Sequence, residues 1–220
     1  YSWDIDLVVA KFSSGLSTLI AATYIGGTWQ ENGWEIKIGS GNTIYGIGRT
    51  QSNNFPITAG AYQTTYNGST DFVVFRLNST LSTLERSTFL GGTGGEGGWS
   101  LDIHNQNIFI AGFSTSNNYP TAGTPYQSTR SWSNDIVISQ LNPNLTGLLA
   151  STYLGGTGSE QANNIVVTGG FVYVVGLTTN NTLPITAGAY QPTKSTPSGF
   201  PIGIIPNYLL ISMHCLQVHT

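Results

Sequence analysis

The sequence is poor in charge and almost free of cysteine. Charged side chains make up 8% of the 220 residues, and the formal net charge is −3. Because no basic stripe is available to neutralise phosphates, we expect no nucleic-acid partner. Cys215 is the only cysteine, which excludes an intrachain disulfide and any metal site that needs several cysteines.

Long apolar runs are missing as well. No stretch approaches the roughly 20 consecutive apolar residues of a membrane span, so we expect no membrane-spanning segment. The chain begins at Tyr1 without an initiator methionine or a signal peptide, which favours a chain processed or excised from a longer protein. With so few charges, solubility must come from hydroxyl and amide side chains. This composition is more common in secreted and surface proteins than in cytosolic ones. We therefore predict an extracellular or cell-surface location.

Four Asn-x-Ser/Thr sequons are present. Such sequons are acceptors for N-glycosylation, but they also arise by chance where Ser and Thr are common. The candidate glycosylation sites are Asn67, Asn78, Asn144 and Asn180.

The main positive feature of the sequence is an internal repeat. The segment at 23–28, Thr-Tyr-Ile-Gly-Gly-Thr, returns with small changes at 88–93 and 152–157, at steps of 65 and 64 residues. A second element, which ends in Tyr-Gln at 62–63, 126–127 and 190–191, also recurs. Such self-similarity predicts one structural unit for each copy. The copies span approximately 4–67, 68–132 and 133–198, and residues 199–220 form a divergent or truncated tail that contains Pro201 and Pro206.

Each copy contains four β-branched and aromatic runs bounded by turn residues, which predict short strands. In the middle of the chain we place strands at 72–77, 84–90, 99–103 and 108–114. Apolar residues occupy both faces of 72–77, as expected for a small sheet buried between two neighbours. No segment has a sustained 3.6-residue apolar period. The sequence therefore predicts an all-β fold of β-propeller blades, each with four antiparallel strands.

The position of the chain ends within this repeat predicts an incomplete ring. If the innermost strand of each blade begins near Trp34, Trp99 or Asn163, the chain opens with the outer two strands of one blade. It then closes near Thr178 with the inner two strands of another. This gives about three blades' worth of strands, whereas propellers use about four to eight blades. We expect either further blades of a longer protein or a head-to-tail dimer that closes a six-bladed ring.

The combined motifs resemble a known repeat. Tyr/Phe-Leu-Gly-Gly-Thr, a following acidic residue and the Asn-Phe-Pro-x-Thr-x-Gly-Ala-Tyr-Gln element are similar to the SBBP repeat, the "seven-bladed β-propeller" repeat of bacterial and archaeal surface proteins. The resemblance covers roughly residues 4–198 and implies a multi-bladed propeller in a large exported protein. It brings no catalytic motif to this chain. The chain departs from the family in having fewer than seven repeats and one Glu in place of the usual acidic pair after Gly-Gly.

An acidic residue follows the Gly-Gly pair in every copy, at Glu31, Glu96 and Glu160. These carboxylates, with nearby glycine carbonyls, are candidate calcium ligands. Calcium prefers six to eight oxygens, however, and each copy offers one acid here. We therefore favour a structural hydrogen bond from the glycine turn to each carboxylate and expect no cofactor. Asp6, Asp71 and Asp135 have a similar structural interpretation as turn or cap residues.

Two further clusters give little reason to expect chemistry. Ser100, Asp102 and His104 alternate along one strand, where neighbours on one face are roughly 7 Å apart, too far for a hydrolytic triad. His214, Cys215 and His219 could contribute to a metal site but lack a fourth ligand.

Aromatic residues are the candidate ligand-binding residues. Exposed aromatic rings can stack on sugars, and loop positions are the best candidates. Trp34 and Trp99 begin predicted inner strands, so we expect them in the core between blades. The candidates for a sugar site are Trp3, Trp132, Tyr62, Tyr126 and Tyr190.

These observations predict a non-enzymatic structural, adhesive or protein-interaction module. The alternative is a lectin-like propeller that binds surface glycans. An enzyme with a site at the propeller channel ranks last, because the inner strands repeat no reactive set of residues.

Overall fold

The computed structural model describes residues 5–195, and within this range the chain is all-β, with one 3-10 turn and no α-helix. No helix of this range is long and apolar enough to cross a bilayer. The strands are β1 (Leu7–Phe12), β2 (Leu19–Ile25), β3 (Glu31–Ile38), β4 (Ile44–Thr50), β5 (Asp71–Leu77), β6 (Leu84–Leu90), β7 (Glu96–His104), β8 (Asn107–Ser114), β9 (Asp135–Leu141), β10 (Leu148–Leu154), β11 (Glu160–Thr168) and β12 (Phe171–Thr178).

The strands form four antiparallel sheets. Two sheets have four strands, in the orders β3-β4-β5-β6 and β7-β8-β9-β10, and each is one complete blade. The other two sheets have two strands each, β1-β2 at one end and β11-β12 at the other. Within each sheet, consecutive strands of the chain are paired, as in an up-and-down propeller blade.

The predicted position of the chain ends is confirmed. The outer strands of the complete blades, β5-β6 and β9-β10, correspond in sequence to β1-β2. Their inner strands, β3-β4 and β7-β8, correspond to β11-β12. The first strands of successive sheets pack against each other, β3 against β7 and β7 against β11. Within residues 5–195 the fold is an incomplete propeller, with two whole blades between an outer and an inner half-blade.

Burial on both faces of the blade is also as predicted. Phe72 and Val74 lie in a cluster shared with the following blade, together with Leu101 and Tyr153. Val73 and its same-face neighbours lie in a second cluster that reaches back to β1 and β2. All residues of β5 except Arg76 are buried, so the sheet is closed off from water on both sides. Apolar contact between blades therefore accounts for the core.

The hairpins explain the unequal repeat steps. Asn105 and Gln106 alone connect β7 to β8, and both have positive φ, as a two-residue hairpin turn requires. The corresponding β3 to β4 connection is longer and contains the 3-10 turn Ser40–Asn42. The extra residue of the first copy thus lies in a turn, where an insertion disturbs no strand pairing.

A β-bulge corrects the prediction made for two tryptophans. The pairing of β3 with β4 shifts between Gly33 and Glu35, and that of β7 with β8 shifts between Gly98 and Ser100. Trp34 and Trp99 are the extra residues at these bulges, so their side chains leave the regular alternation of the strand. Their rings pack on each other with centroids 4.2 Å apart, but Trp34 keeps 39% exposure. The two rings therefore pack between successive blades as predicted, and Trp99 is half-buried, but Trp34 is not a core residue.

Candidate functional site

The carboxylates after the Gly-Gly pairs hold the turns together. Glu31, Glu96 and Glu160 are fully buried, and each accepts a hydrogen bond of 3.0 Å from the second glycine of its own turn. Glu96 also accepts hydroxyl bonds from Ser114 and Ser116, at 2.6 and 2.5 Å. The hydrogen bonds expected for the structural interpretation are thus present in all three copies. Among residues 5–195, no three His, Cys, Asp or Glu side chains form a group that could hold a metal ion.

A second set of carboxylates fastens the long loop of each blade to its outer strands. Asp71 accepts hydrogen bonds from the Asn67 amide at 2.9 Å and the Gln63 side chain at 3.2 Å. The side-chain oxygen of Gln63, Oε1, accepts the Gly91 amide at 3.1 Å. The next blade repeats these contacts with Asp135 and Gln127. We call this arrangement, a loop glutamine between an aspartate and a glycine amide, the glutamine clasp.

Burial and mutual repulsion act on the acids of the first complete blade. Burial, and to a smaller extent the nearby charge of Glu96, raises the pKa of Asp71 to about 7. Burial also raises the pKa of Glu96, against its hydrogen bonds from Ser114 and Ser116. Asp71 Oδ1 is buried without a hydrogen-bond partner, so only the two hydrogen bonds to Oδ2, from Asn67 and Gln63, offset the burial of the charge. Asp71 is therefore a buried carboxyl group that can take up a proton near neutral pH.

Polar side chains tie the inner strands of successive blades to one another. Glu35 accepts the Leu101 amide at 2.7 Å, and Ser100 accepts the Ile165 amide at 3.2 Å. Asp102 accepts the Val167 amide at 2.7 Å. Ser100 and Asp102 are therefore each engaged by a neighbouring blade and not by one another. The chained hydrogen bonds of a triad are therefore not present between Ser100 and Asp102.

The aromatic candidates are not gathered at one place. Trp132 and Tyr126 are each 70% exposed, and Tyr190 is fully exposed. Tyr62 is half-buried, because it packs against the core cluster between the complete blades. Trp3 lies outside the described residues, as do His214, Cys215 and His219. Trp132 is the candidate best placed for a ligand, on a loop fixed by bonds from Arg130 to Asn117 and Ser133.

The four sequons differ in availability. Asn144 is exposed and Asn67 is half-buried. The Asn78 side chain bonds Ser82 and Thr83 within its own hairpin, and the Asn180 side chain bonds Thr182. A glycan on Asn78 or Asn180 would require these local bonds to break. Asn144 is thus the most accessible acceptor.

The largest departure from normal burial lies at the two half-blades. Val8 is 60% exposed on β1, whereas its counterparts Val73 and Val137 are 0% and 1% exposed. Tyr24 on β2 is 76% exposed, whereas Phe89 and Tyr153 are 1% and 0% exposed. β12 shows the same contrast. Val175 is exposed, whereas Ile47 and Ala111, at the equivalent positions of the complete blades, are buried. The counterparts of these positions are buried against a neighbouring blade, and within residues 5–195 no blade covers these faces of β1-β2 and β12.

Clefts accompany both half-blades. One, of about 380 Å³, lies beside β1 and is lined by Val9, Lys11 and Leu81. Another, of about 340 Å³, lies beside β12 and is lined by Phe109, Tyr126 and Val172. Of these lining residues, only Tyr126 was singled out from the sequence, as a candidate for a sugar site. A comparison of equivalent repeat positions could have identified the others. The exposed half-blades and their clefts are the candidate functional site.

Comparison with known proteins adds no assignment to this geometry. Neither a protein-family model nor a curated protein matches the chain. The resemblance to the SBBP repeat therefore stays a prediction from the motifs, and the functional argument rests on the half-blades themselves.

Proposed function

We propose that this chain is a non-enzymatic structural or protein-interaction module of an extracellular or cell-surface protein, and that it acts by pairing its half-blades with further propeller strands. The strands would come from a second copy of the chain or from further blades of a longer protein. Addition of a strand to an open sheet edge is a common mode of protein recognition, because main-chain hydrogen bonds supply affinity and alternate side chains supply specificity.

The contrast in burial between equivalent positions carries this proposal. Val8 and Tyr24 have the residue types and alternation of a buried strand pair, yet more than half of each side chain contacts solvent. Exposed apolar groups on unpaired strands promote association, and proteins normally protect such edges. The low charge of these faces, with Lys11 as the single charged residue of β1 and β2, favours a protein partner over a polyanion.

The cell-surface location rests on composition and resemblance. The chain has 8% charged residues and is rich in hydroxyl and amide side chains. It carries an exposed sequon at Asn144, and its motifs resemble those of exported surface proteins. These features support an adhesive or structural role outside the cell.

A strand-pairing experiment tests the proposal. A synthetic peptide of residues 5–26, which carries β1 and β2, is titrated into a chain whose own β1 has been disabled by Val8→Lys. The open β12 edge of that chain should bind the peptide. A peptide with the same Val8→Lys change should bind at least about tenfold more weakly, which corresponds to about 1.4 kcal/mol, because its lysine would face a buried position. Fluorescence anisotropy of a labelled peptide measures both affinities.

A matched control separates pairing from general stickiness. Thr64 is exposed on the loop between β4 and β5 of a complete blade and lines neither cleft, so its conversion to lysine adds the same charge away from the half-blades. Thr64→Lys in the Val8→Lys chain should leave peptide binding unchanged. Equal binding of the wild-type and Val8→Lys peptides would refute the proposed function.

Exposure of Trp132 favours one second candidate, a lectin-like function. Its ring stands 70% exposed on a loop held by Arg130, so a sugar could stack on it without a change in the fold. A glycan array with the wild-type chain and a Trp132→Ala variant tests this function. Binding that Trp132→Ala abolishes would support it, and silence of the wild-type chain across the array would reject it.

A further inference from the structure

We infer that Asn67 is a site of spontaneous chemical modification, at which the side-chain amide is lost and the loop before β5 gains a carboxylate. The site is independent of the strand pairing proposed above. Asparagine is a chemically labile residue, and the dipeptide Asn-Gly occurs twice in the sequence, at 32–33 and at 67–68. The first lies within the paired strand β3, and the second lies in the loop between β4 and β5.

The reaction is intramolecular and uses water as its only other reactant. The backbone nitrogen of the glycine loses its proton and attacks the side-chain carbonyl carbon of the asparagine, which closes a five-membered cyclic imide. The bond from that carbon to the side-chain nitrogen breaks, and the nitrogen takes up a proton and leaves as ammonia. Water then opens the imide at either of its two carbonyl carbons and produces aspartate or isoaspartate. Glycine favours the attack, because it has no Cβ to obstruct the approach of its nitrogen.

Both reacting groups at Asn67-Gly68 are without hydrogen bonds in the described part of the chain. Among residues 5–195 no atom bonds the Asn67 side chain, although the Asn67 backbone amide donates to Asp71 Oδ2 at 2.9 Å. The Gly68 amide likewise donates to no atom of this range. Asn67 is half-buried and Gly68 is exposed, so water reaches the dipeptide. The glycine nitrogen and the side-chain carbon can therefore approach each other without loss of a hydrogen bond of their own.

The same dipeptide at Asn32 is held in place. Asn32 is opposite Arg49 of β4, and Gly33 is opposite Gly48. The Asn32 side-chain oxygen accepts a hydrogen bond from Arg49 Nε at 3.0 Å. The two strands lie so close that a Cβ on Gly48 would clash with the Asn32 backbone oxygen. Closure of the imide ring therefore requires β3 to separate locally from β4, and the rate falls with the fraction of molecules that are open.

The reactive dipeptide belongs to one blade and not to the repeat. In the next copy the positions of Asn67 and Gly68 are occupied by Ser131 and Trp132. The Ser131 amide makes the equivalent hydrogen bond, to Asp135 Oδ2 at 2.8 Å, so the loop has the same anchor without an asparagine. The backbone contact thus does not explain why an asparagine is present at position 67.

Modification at this place affects the contact between the two complete blades. Gly68 has a φ of 76°, and a Cβ there would clash with the Gly94 carbonyl oxygen in the turn before β7. The Ser69 amide donates to the same oxygen at 2.8 Å, and Thr70 Oγ1 donates to the Glu96 carbonyl oxygen at 2.9 Å. Isoaspartate adds one carbon atom to the main chain between residues 67 and 68, so these contacts cannot all be kept. The modified loop is therefore held less firmly against the turn that leads into the second complete blade.

Peptide mass mapping tests the site. The chain is produced in a host that adds no N-glycan, so that the sequon at Asn67 stays free, and the folded protein is incubated at pH 8. Residue 67 should gain the mass difference between an amide and an acid at least about tenfold faster than residue 32 of the same molecules. In concentrated urea, where neither dipeptide is held, the two rates should agree within about twofold.

Asn67→Gln is the matched variant for the structural consequence. Glutamine keeps the amide but would have to close a six-membered ring, which is much slower, and the Asn67 backbone does not have the positive φ that would disfavour it. The modified wild-type fraction, separated by ion exchange through its extra negative charge, should unfold at a lower urea concentration than the unmodified fraction. Asn67→Gln incubated alongside should produce no such fraction.

Two results would overturn the inference. One is conversion of residues 32 and 67 at equal rates in the folded chain. The other is no conversion of residue 67 in the folded chain over the time that converts it in urea. An unchanged urea midpoint for the modified fraction would refute the weaker contact between the complete blades. Peptide binding at the half-blades does not enter these measurements, so the proposed function can fail without this site and this site can fail without the proposed function.

Discussion

Asp71→Asn should stabilise the protein at alkaline pH and remove part of its pH dependence. Burial raises the pKa of Asp71 from 3.8 to about 7 in the folded chain. The folded state therefore binds this proton more tightly than the unfolded state does. Between these two pKa values the unfolded state gives up the proton first, so stability is highest at acid pH and falls as the pH rises through the window.

The size of the effect follows from the two pKa values. Linkage gives a loss of about 2.5 kcal/mol in the free energy of unfolding between pH 5 and pH 8 from this group. Asparagine resembles the protonated acid. Its side-chain oxygen can still accept the hydrogen bonds from Asn67 and Gln63, and its amide nitrogen takes the place of Asp71 Oδ1, which has no partner. The variant should also relieve repulsion of Glu96.

Urea unfolding of both proteins, at one protein concentration and several pH values, measures the difference. We expect similar stability at pH 5 and a variant about 2.5 kcal/mol more stable at pH 8, which is a midpoint shift of about 1 M at an m value of about 2 kcal/mol/M. Repetition in 0.5 M salt is the control, because salt screens surface charges much more than buried ones. If the difference between the proteins stays constant from pH 5 to pH 8, Asp71 does not titrate there and the reasoning is wrong.

Three other substitutions test the packing and hydrogen bonds of the complete blades, with urea unfolding as the assay. Glu96→Ala should cost about 2 to 4 kcal/mol, because it leaves a buried amide and two hydroxyls without their acceptor; a cost below about 1 kcal/mol would show that the carboxylate is dispensable. Gly112→Ala should cost about 2 to 3 kcal/mol, since its Cβ would lie 2.1 Å from the Gly97 backbone oxygen, and a neutral result would contradict the tight approach of β7 and β8. Leu145→Ala should cost about 2 to 5 kcal/mol through loss of a fully buried side chain, and a change of less than about 1 kcal/mol would refute its role between blades.

The sequence was sufficient to predict that the strands and the two half-blades exist. The inner strands begin three residues before the predicted starts, at Glu31, Glu96 and Glu160. The predicted strand at 84–90 matches β6, and that at 108–114 falls within β8. Alternation and turn residues determine such local features, and the repeat multiplies the signal. The last inner strand pair, β11-β12, was predicted to end near Thr178 for the same reason, and β12 ends at that residue.

Features that depend on backbone register could not be predicted in this way. A bulge at Trp34 inserts one residue and changes the direction in which its side chain points, so a simple period of two places the ring wrongly. The exposure of Leu16, between β1 and β2, escaped prediction for another reason. Its counterparts Leu81 and Leu145 are buried by the preceding blade, so its surroundings depend on a contact between blades and not on its own hairpin.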